Sequence, residues 1–164
     1  MIKEINKFLM NREMCRLVAF QRNELLISAE KKTRKIFGRF LYTKILSYFV
    51  NKKRIEKEYF DIMNYEYKTI KKYIPDNCKN ILSIGGGLGG LESIINKDFT
   101  NISFNLVEKN YVSKKIVYGW DRKNNEAYNN LNLTKKFMLD NGVQLEKIKL
   151  YDYYNDELPN TKFD

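Results

Sequence analysis

The chain of 164 residues contains no histidine. A catalytic triad built on imidazole and a histidine-rich metal site are therefore both excluded within it, because each needs an imidazole nitrogen as base or ligand. Cysteine is almost as scarce. Cys15 and Cys78 lie far apart, without the short spacing of a metal or redox pair, and are expected to be free thiols of a reducing compartment. No apolar run approaches the length of about 20 residues that spans a bilayer. The opening Met1-Ile2-Lys3-Glu4-Ile5-Asn6 lacks the basic-then-apolar order of a secretory signal. Together these absences lead to the expectation of a soluble, cytoplasmic protein with no membrane span.

Net charge is missing from one half only. Residues 76–164 hold 12 Lys and Arg against 12 Asp and Glu, whereas residues 1–75 hold 18 against 8, so the whole formal surplus of +10 sits in the first part. A basic half suits nucleic acid, an acidic surface or a set of solvated helix faces, and the last is the commonest. The cluster Lys31-Lys32-Thr33-Arg34-Lys35 is either a phosphate grip or a solvated connection. A nucleic-acid-binding module thus stays open as a non-enzymatic reading.

What the chain does have is glycine in one place. Ile81-Leu82-Ser83-Ile84 is a short apolar run, and five of the next six residues, 85–90, are glycine, followed by Leu91-Glu92-Ser93-Ile94-Ile95. This reads as a buried strand, a tight turn and a helix start. Such a turn lets a ligand approach the backbone, and the helix behind it offers unpaired N–H groups, so a nucleotide or nucleoside cradle is expected. Ile102 to Glu108 alternates as a second strand and ends in a carboxylate. Glu108 stands about 20 residues beyond the glycines, where an acidic side chain binds ribose hydroxyls in open α/β sheets.

Residues 1–75 read as helical throughout, as a basic N-terminal segment. Apolar stripes run through Met14, Leu17, Val18, Leu25 and Leu26, then through Phe37 to Val50, then from Ile55 to Ile74, where Pro75-Asp76-Asn77 stops the last. Residues 76–164 form the second unit. Within it Leu88 to Asn96 is a short helix, and 110–123 shows no period and holds Trp120, a pocket wall or a loop anchor. Asn125 to Asp140 is helical with Ala127, Leu131, Phe137 and Met138 inward; Asn141-Gly142 ends it, and Lys147 to Asp152 is a third strand.

This order of motifs resembles the class I S-adenosylmethionine-dependent methyltransferases from about residue 55 to 164. Gly85, Gly87 and Gly89 match the family's Gly-x-Gly-x-Gly, with Ser83 where the family usually has Asp or Glu. Glu108 matches the ribose ligand, Asp152 and Tyr153 the end of strand three that contacts adenine, and Leu158-Pro159 with Phe163-Asp164 the introduction to strand four. Tyr118-Gly119-Trp120 and Tyr128-Asn129-Asn130-Leu131 are similar to a bacterial subgroup named for sugar methyl transfer. The resemblance implies an α/β Rossmann-like core, here the first three strands of a seven-stranded sheet. It also implies S-adenosylmethionine as cofactor and a small-molecule acceptor, with a sugar suggested by that subgroup's name. The chain is expected to be a fragment ending before strand four, so no catalytic residue is named, and the helical segment is expected to cap the site or help select the acceptor. The same glycines also satisfy Gly-x-Gly-x-x-Gly through Gly85, Gly87 and Gly90, which keeps an NAD(P)-dependent oxidoreductase as the rival enzyme.

Overall fold

The computed structural model describes residues 6–25, 48, 51–113 and 127–164. The expected helix over 37–50 lies outside the described residues apart from Tyr48, as do the basic cluster 31–35 and the segment around Trp120.

Three strands form one parallel sheet in the order β1-β2-β3: β1 is Asn80–Ile84, β2 is Ser103–Glu108 and β3 is Ile148–Asp152. The register runs from Asn80 opposite Ser103 to Ile84 opposite Val107, and from Phe104 opposite Ile148 to Glu108 opposite Asp152. Parallel pairing needs a crossover between strands. The helix Gly90–Asp98 supplies the first crossover and Leu131–Asp140 lies in the second. With Arg12–Gln21 as α1 and Lys52–Ile70 as α2, these two are α3 and α4. The chain is thus α/β. β2 is central, and Phe104 and Leu106 are fully buried in it.

The N-terminal segment departs from an all-helical reading. Residues 6–11 are not helical, and α1 begins at Arg12 because Asn11 caps it. The Asn11 carboxamide oxygen accepts from the Met14 N–H at 2.8 Å, while the Asn11 N–H donates to the Met14 sulfur at 3.4 Å. Ahead of the cap, the Phe8 N–H donates to the Glu56 carbonyl at 3.1 Å, and Leu9 exchanges two hydrogen bonds with the Asn141 side chain. These bonds fix Phe8 inside, where its ring meets Tyr59 at 5.2 Å, Phe60 at 5.4 Å and Phe137 at 5.0 Å between centroids. Burial of such rings supplies much of the stabilisation in a small core. The apolar cluster runs from Phe8 through α1, α2 and α3 to Phe104, Phe137 and Ile148, so it crosses from the basic segment into the sheet.

The third stripe also ends earlier than its apolar pattern. α2 gives way at Ile70 to a 3₁₀ turn over Lys71–Tyr73. Cys15 and Cys78 are buried free thiols; burial, reinforced by the nearby Glu56 carboxylate, pushes Cys15 up to about 11. No helix among the described residues is long and apolar enough to cross a membrane.

Candidate functional site

The carboxyl ends of β1 and β2 open onto a cleft of about 840 Å³. Its size falls in the range of small-molecule sites, and its place matches the rule for open α/β sheets, whose ligands lie beyond the carboxyl ends of the strands. The strand-side wall consists of residues 84–87 after β1, residues 107–109 at the end of β2, and Tyr153 after β3. A second wall comes from the N-terminal segment, through Gln21, Arg22, Glu24 and Tyr59. Ala127, Tyr128 and Asn129 supply the third.

Gly87 is the pivot of the turn. Its φ is +64°, and a Cβ there would meet the Gln21 side-chain oxygen at 2.8 Å. Both faces of its peptide are held. Its N–H donates to Glu108 Oε1 at 2.5 Å, and its carbonyl accepts from Asn129 Nδ2 and Thr134 Oγ1, each at 3.0 Å. Asn129 is buried, with its oxygen 3.3 Å from the Thr134 hydroxyl. The turn is therefore fixed before any ligand arrives. Gly85 differs: its φ is +72°, but a Cβ would meet nothing within 4 Å. At Gly85 the backbone is bare toward the cleft.

Burial pushes the Glu108 carboxyl above its ordinary value, while the Gly87 N–H and Asn129 work against that rise. Tyr153 stands half exposed at the rim, and its N–H donates to the Glu108 carbonyl at 2.8 Å. Of the residues expected at a cofactor site, Gly85, Gly87, Glu108 and Tyr153 line the cleft, while Gly89 and Asp152 do not. Gly89, at φ +78°, is the N-cap of α3. Asp152 secures the turn after β3, accepting from Asn155 Nδ2 at 2.6 Å and the Tyr154 N–H at 3.2 Å. Those bonds, that to Asn155 foremost, hold its carboxyl below the usual range.

Ser83 leads to a carboxyl that sequence reading passed over. Its hydroxyl hydrogen-bonds Glu92, from the first turn of α3. Glu92 is 2% exposed, and Oε2 has no hydrogen-bond partner. Burial holds this carboxyl above its ordinary value. An acidic group thus stands behind the glycine turn, delivered by the helix rather than by the strand.

Gln21, Arg22, Glu24 and Tyr59 were also missed as site residues. In the sequence they fall inside amphipathic helical stretches, where polar positions read as solvent-facing and Tyr59 as core. Only the packing of α1 and α2 beside the glycine turn brings them to the cleft. Gln21 Nε2 donates to the Tyr128 carbonyl at 2.7 Å and joins two of the walls. Among the described residues no group of three or more Asp, Glu or Cys is arranged to hold a metal ion.

No protein-family model matches this chain, and neither the curated proteins nor the solved structures include a match to it. The parallel three-stranded sheet with its helices is compatible with a Rossmann-like core.

Proposed function

We propose that the chain binds S-adenosylmethionine in this cleft and serves methyl transfer, as a Rossmann-like class I methyltransferase core. The observation that carries this reading is the turn after β1. It is bare toward the cleft at Gly85 and locked at Gly87, with the Glu108 carboxyl at the end of the neighbouring strand. The residues present suit such a ligand. Gly85 lets the methionine part approach the backbone, Glu108 accepts from the ribose hydroxyls with its second oxygen, and Tyr153 offers an aromatic edge to adenine. Gly89 starts the helix whose N-terminus backs the turn, and Asp152 keeps Tyr153 in position. When bound, the cofactor supplies an electrophilic methyl group on sulfonium sulfur.

The chain's own contribution is alignment and exclusion of water. Holding an acceptor in line lowers the barrier without any proton-transfer residue, and none of the cleft side chains is assigned as a base. The acceptor is a small molecule, with a sugar favoured by the likeness of residues 118–120 and 128–131 to the sugar-modifying subgroup.

Titration calorimetry with S-adenosylhomocysteine, run beside NAD, tests the proposal. Binding of the former alone is expected. Binding of NAD alone would make the cleft that of a nicotinamide-dependent oxidoreductase. If neither binds and the chain is held by a polyanion in a manner that weakens steeply with salt, the basic segment and not the cleft is the functional part.

A further inference from the structure

We infer that Arg22 reads the carboxylate at the amino-acid end of the cleft's ligand, and so selects a zwitterionic nucleoside over one that lacks that end. The inference rests on the proposed function and extends it to a residue of the N-terminal segment.

Among the described residues, four charged side chains line the cleft: Arg22, Glu24, Glu108 and Lys109. Glu108 is engaged with the Gly87 N–H on the strand side, and Lys109 lies over the Tyr154 ring, 5.7 Å from its centroid. Arg22 stands on the other wall, directly after Gln21, whose side chain touches Gly87. Its guanidinium is aimed by carboxylates. Nη1 donates to Glu66 Oε1 at 2.7 Å and to Glu24 Oε1 at 3.1 Å, and Nη2 donates to Glu66 Oε2 at 3.3 Å.

Burial works against this charge, yet the bonds to Glu66 and Glu24 hold Arg22 above its ordinary value, so the guanidinium stays protonated in the wall. A guanidinium carries five N–H donors in one plane. Three contacts engage the two Nη atoms and leave donor capacity for another carboxylate, the partner that the planar fork fits best.

Two neighbours complete the arrangement. The Tyr59 hydroxyl oxygen accepts from the Gly90 N–H, and burial pushes its ionisation well above the usual range, so it keeps its proton as a donor. The Tyr59 ring centroid lies 6.0 Å from the Arg22 guanidinium carbon. Glu24, half exposed, is an acceptor for an ammonium group beside the guanidinium. A cation and a carboxylate side by side on one wall complement a ligand end that carries both charges.

The competing account is that Arg22 only braces α1 against α2 through Glu66. Calorimetry on the full chain separates the two, with S-adenosylhomocysteine, 5′-methylthioadenosine, which lacks the amino-acid end, and decarboxylated S-adenosylhomocysteine, which lacks only the carboxylate. The wild-type chain should prefer S-adenosylhomocysteine to either of the others by about 10- to 100-fold, the range of a charge-assisted hydrogen-bonded contact. Arg22→Gln should reduce that preference to about threefold or less while the affinity for 5′-methylthioadenosine stays the same.

Arg22→Lys keeps a charge for Glu66 but lacks the fork, so it should hold 5′-methylthioadenosine normally and show a reduced preference. It decides the matter if Arg22→Gln does not fold. A preference that survives these substitutions overturns the inference. So does equal loss of all three ligands in a folded variant, or a decarboxylated ligand that binds wild type as tightly as S-adenosylhomocysteine. Equal wild-type affinity for all three also overturns it and leaves the proposed function standing. Binding of none of them overturns the function itself.

Discussion

At the scale of single residues, two glycines in the same turn should respond differently to the same substitution. Gly85→Ala meets open space, so its cost is that of a left-handed conformation alone, about 1–2 kcal/mol. Gly87→Ala carries that strain and also drives a methyl group against the Gln21 oxygen at 2.8 Å, so it should cost more and loosen the contact between α1 and the turn. Urea denaturation of both variants checks the order. An equal loss would show that the Gln21 contact yields freely. Gly85→Ala should nonetheless abolish S-adenosylhomocysteine binding, because the added methyl stands in the cleft.

Glu92 makes a second prediction at this scale. Its folded-state carboxyl lies above the ordinary 4.5, through burial first and Glu66 repulsion last. Between 4.5 and that raised value the folded chain holds more protons at this site than the unfolded chain does, so stability falls as pH rises through the window. Asp98 and Asp152 act in the opposite sense: both sit below 3.8, and their stabilisation is lost as pH falls toward and below that value. Glu92→Gln should remove only the first effect, giving a variant more stable than wild type at pH 8 with the advantage vanishing near pH 4. Thermal melts across that range would contradict the assignment if the difference did not depend on pH.

At the scale of elements, the strands and the helices beside the glycines were legible because their signals are local. An apolar run before Gly85, an alternating run ending in Glu108 and the stretch Lys147 to Asp152 each announce a strand, and the observed β1, β2 and β3 fall on them. The helix expected from Asn125 starts only at Leu131, since Asn130 caps it by accepting from the Asn132 and Leu133 N–H groups, and Tyr128 pairs instead with Val112. Residues 6–11 were illegible for a related reason. Their conformation is set by partners more than 40 positions away, above all Glu56 and Asn141.

Glu56 therefore carries the prediction for this level. It is 2% exposed and accepts from the Met10 N–H at 3.4 Å, while Lys52 and Lys7 pair with its two oxygens. Glu56→Ala strands a buried N–H and should cost about 1–3 kcal/mol. Lys7→Ala removes a half-exposed partner at 3.5 Å and should cost less than about 1 kcal/mol. Amide exchange resolved to residues 6–11 should accelerate in the first variant and not in the second.

At the scale of the whole molecule, the sheet has an asymmetric requirement. β2 is enclosed between two strands, whereas β1 has β2 on one side only among the described residues. The ladder bonds from Ser103 to the Lys79 carbonyl and from Gly85 to the Val107 carbonyl turn the odd-numbered positions of β1 toward β2. The main-chain groups of Asn80, Leu82 and Ile84 therefore point to the outer edge. Asp164 satisfies the first of them, its N–H donating to the Asn80 carbonyl at 3.0 Å and its carboxylate accepting from the Lys79 and Asn80 N–H groups at 2.7 and 3.0 Å. Among the described residues Leu82 has no such partner, and it is partly exposed, which is the profile of an edge that recruits another strand. The chain should therefore self-associate with rising concentration. Leu82→Lys should suppress this by placing a charge on the edge, and because Leu82 does not line the cleft, ligand affinity should stay unchanged. Sedimentation velocity over a hundredfold range of concentration tests the claim. A wild-type chain that stays monomeric throughout would mean that the edge is already covered.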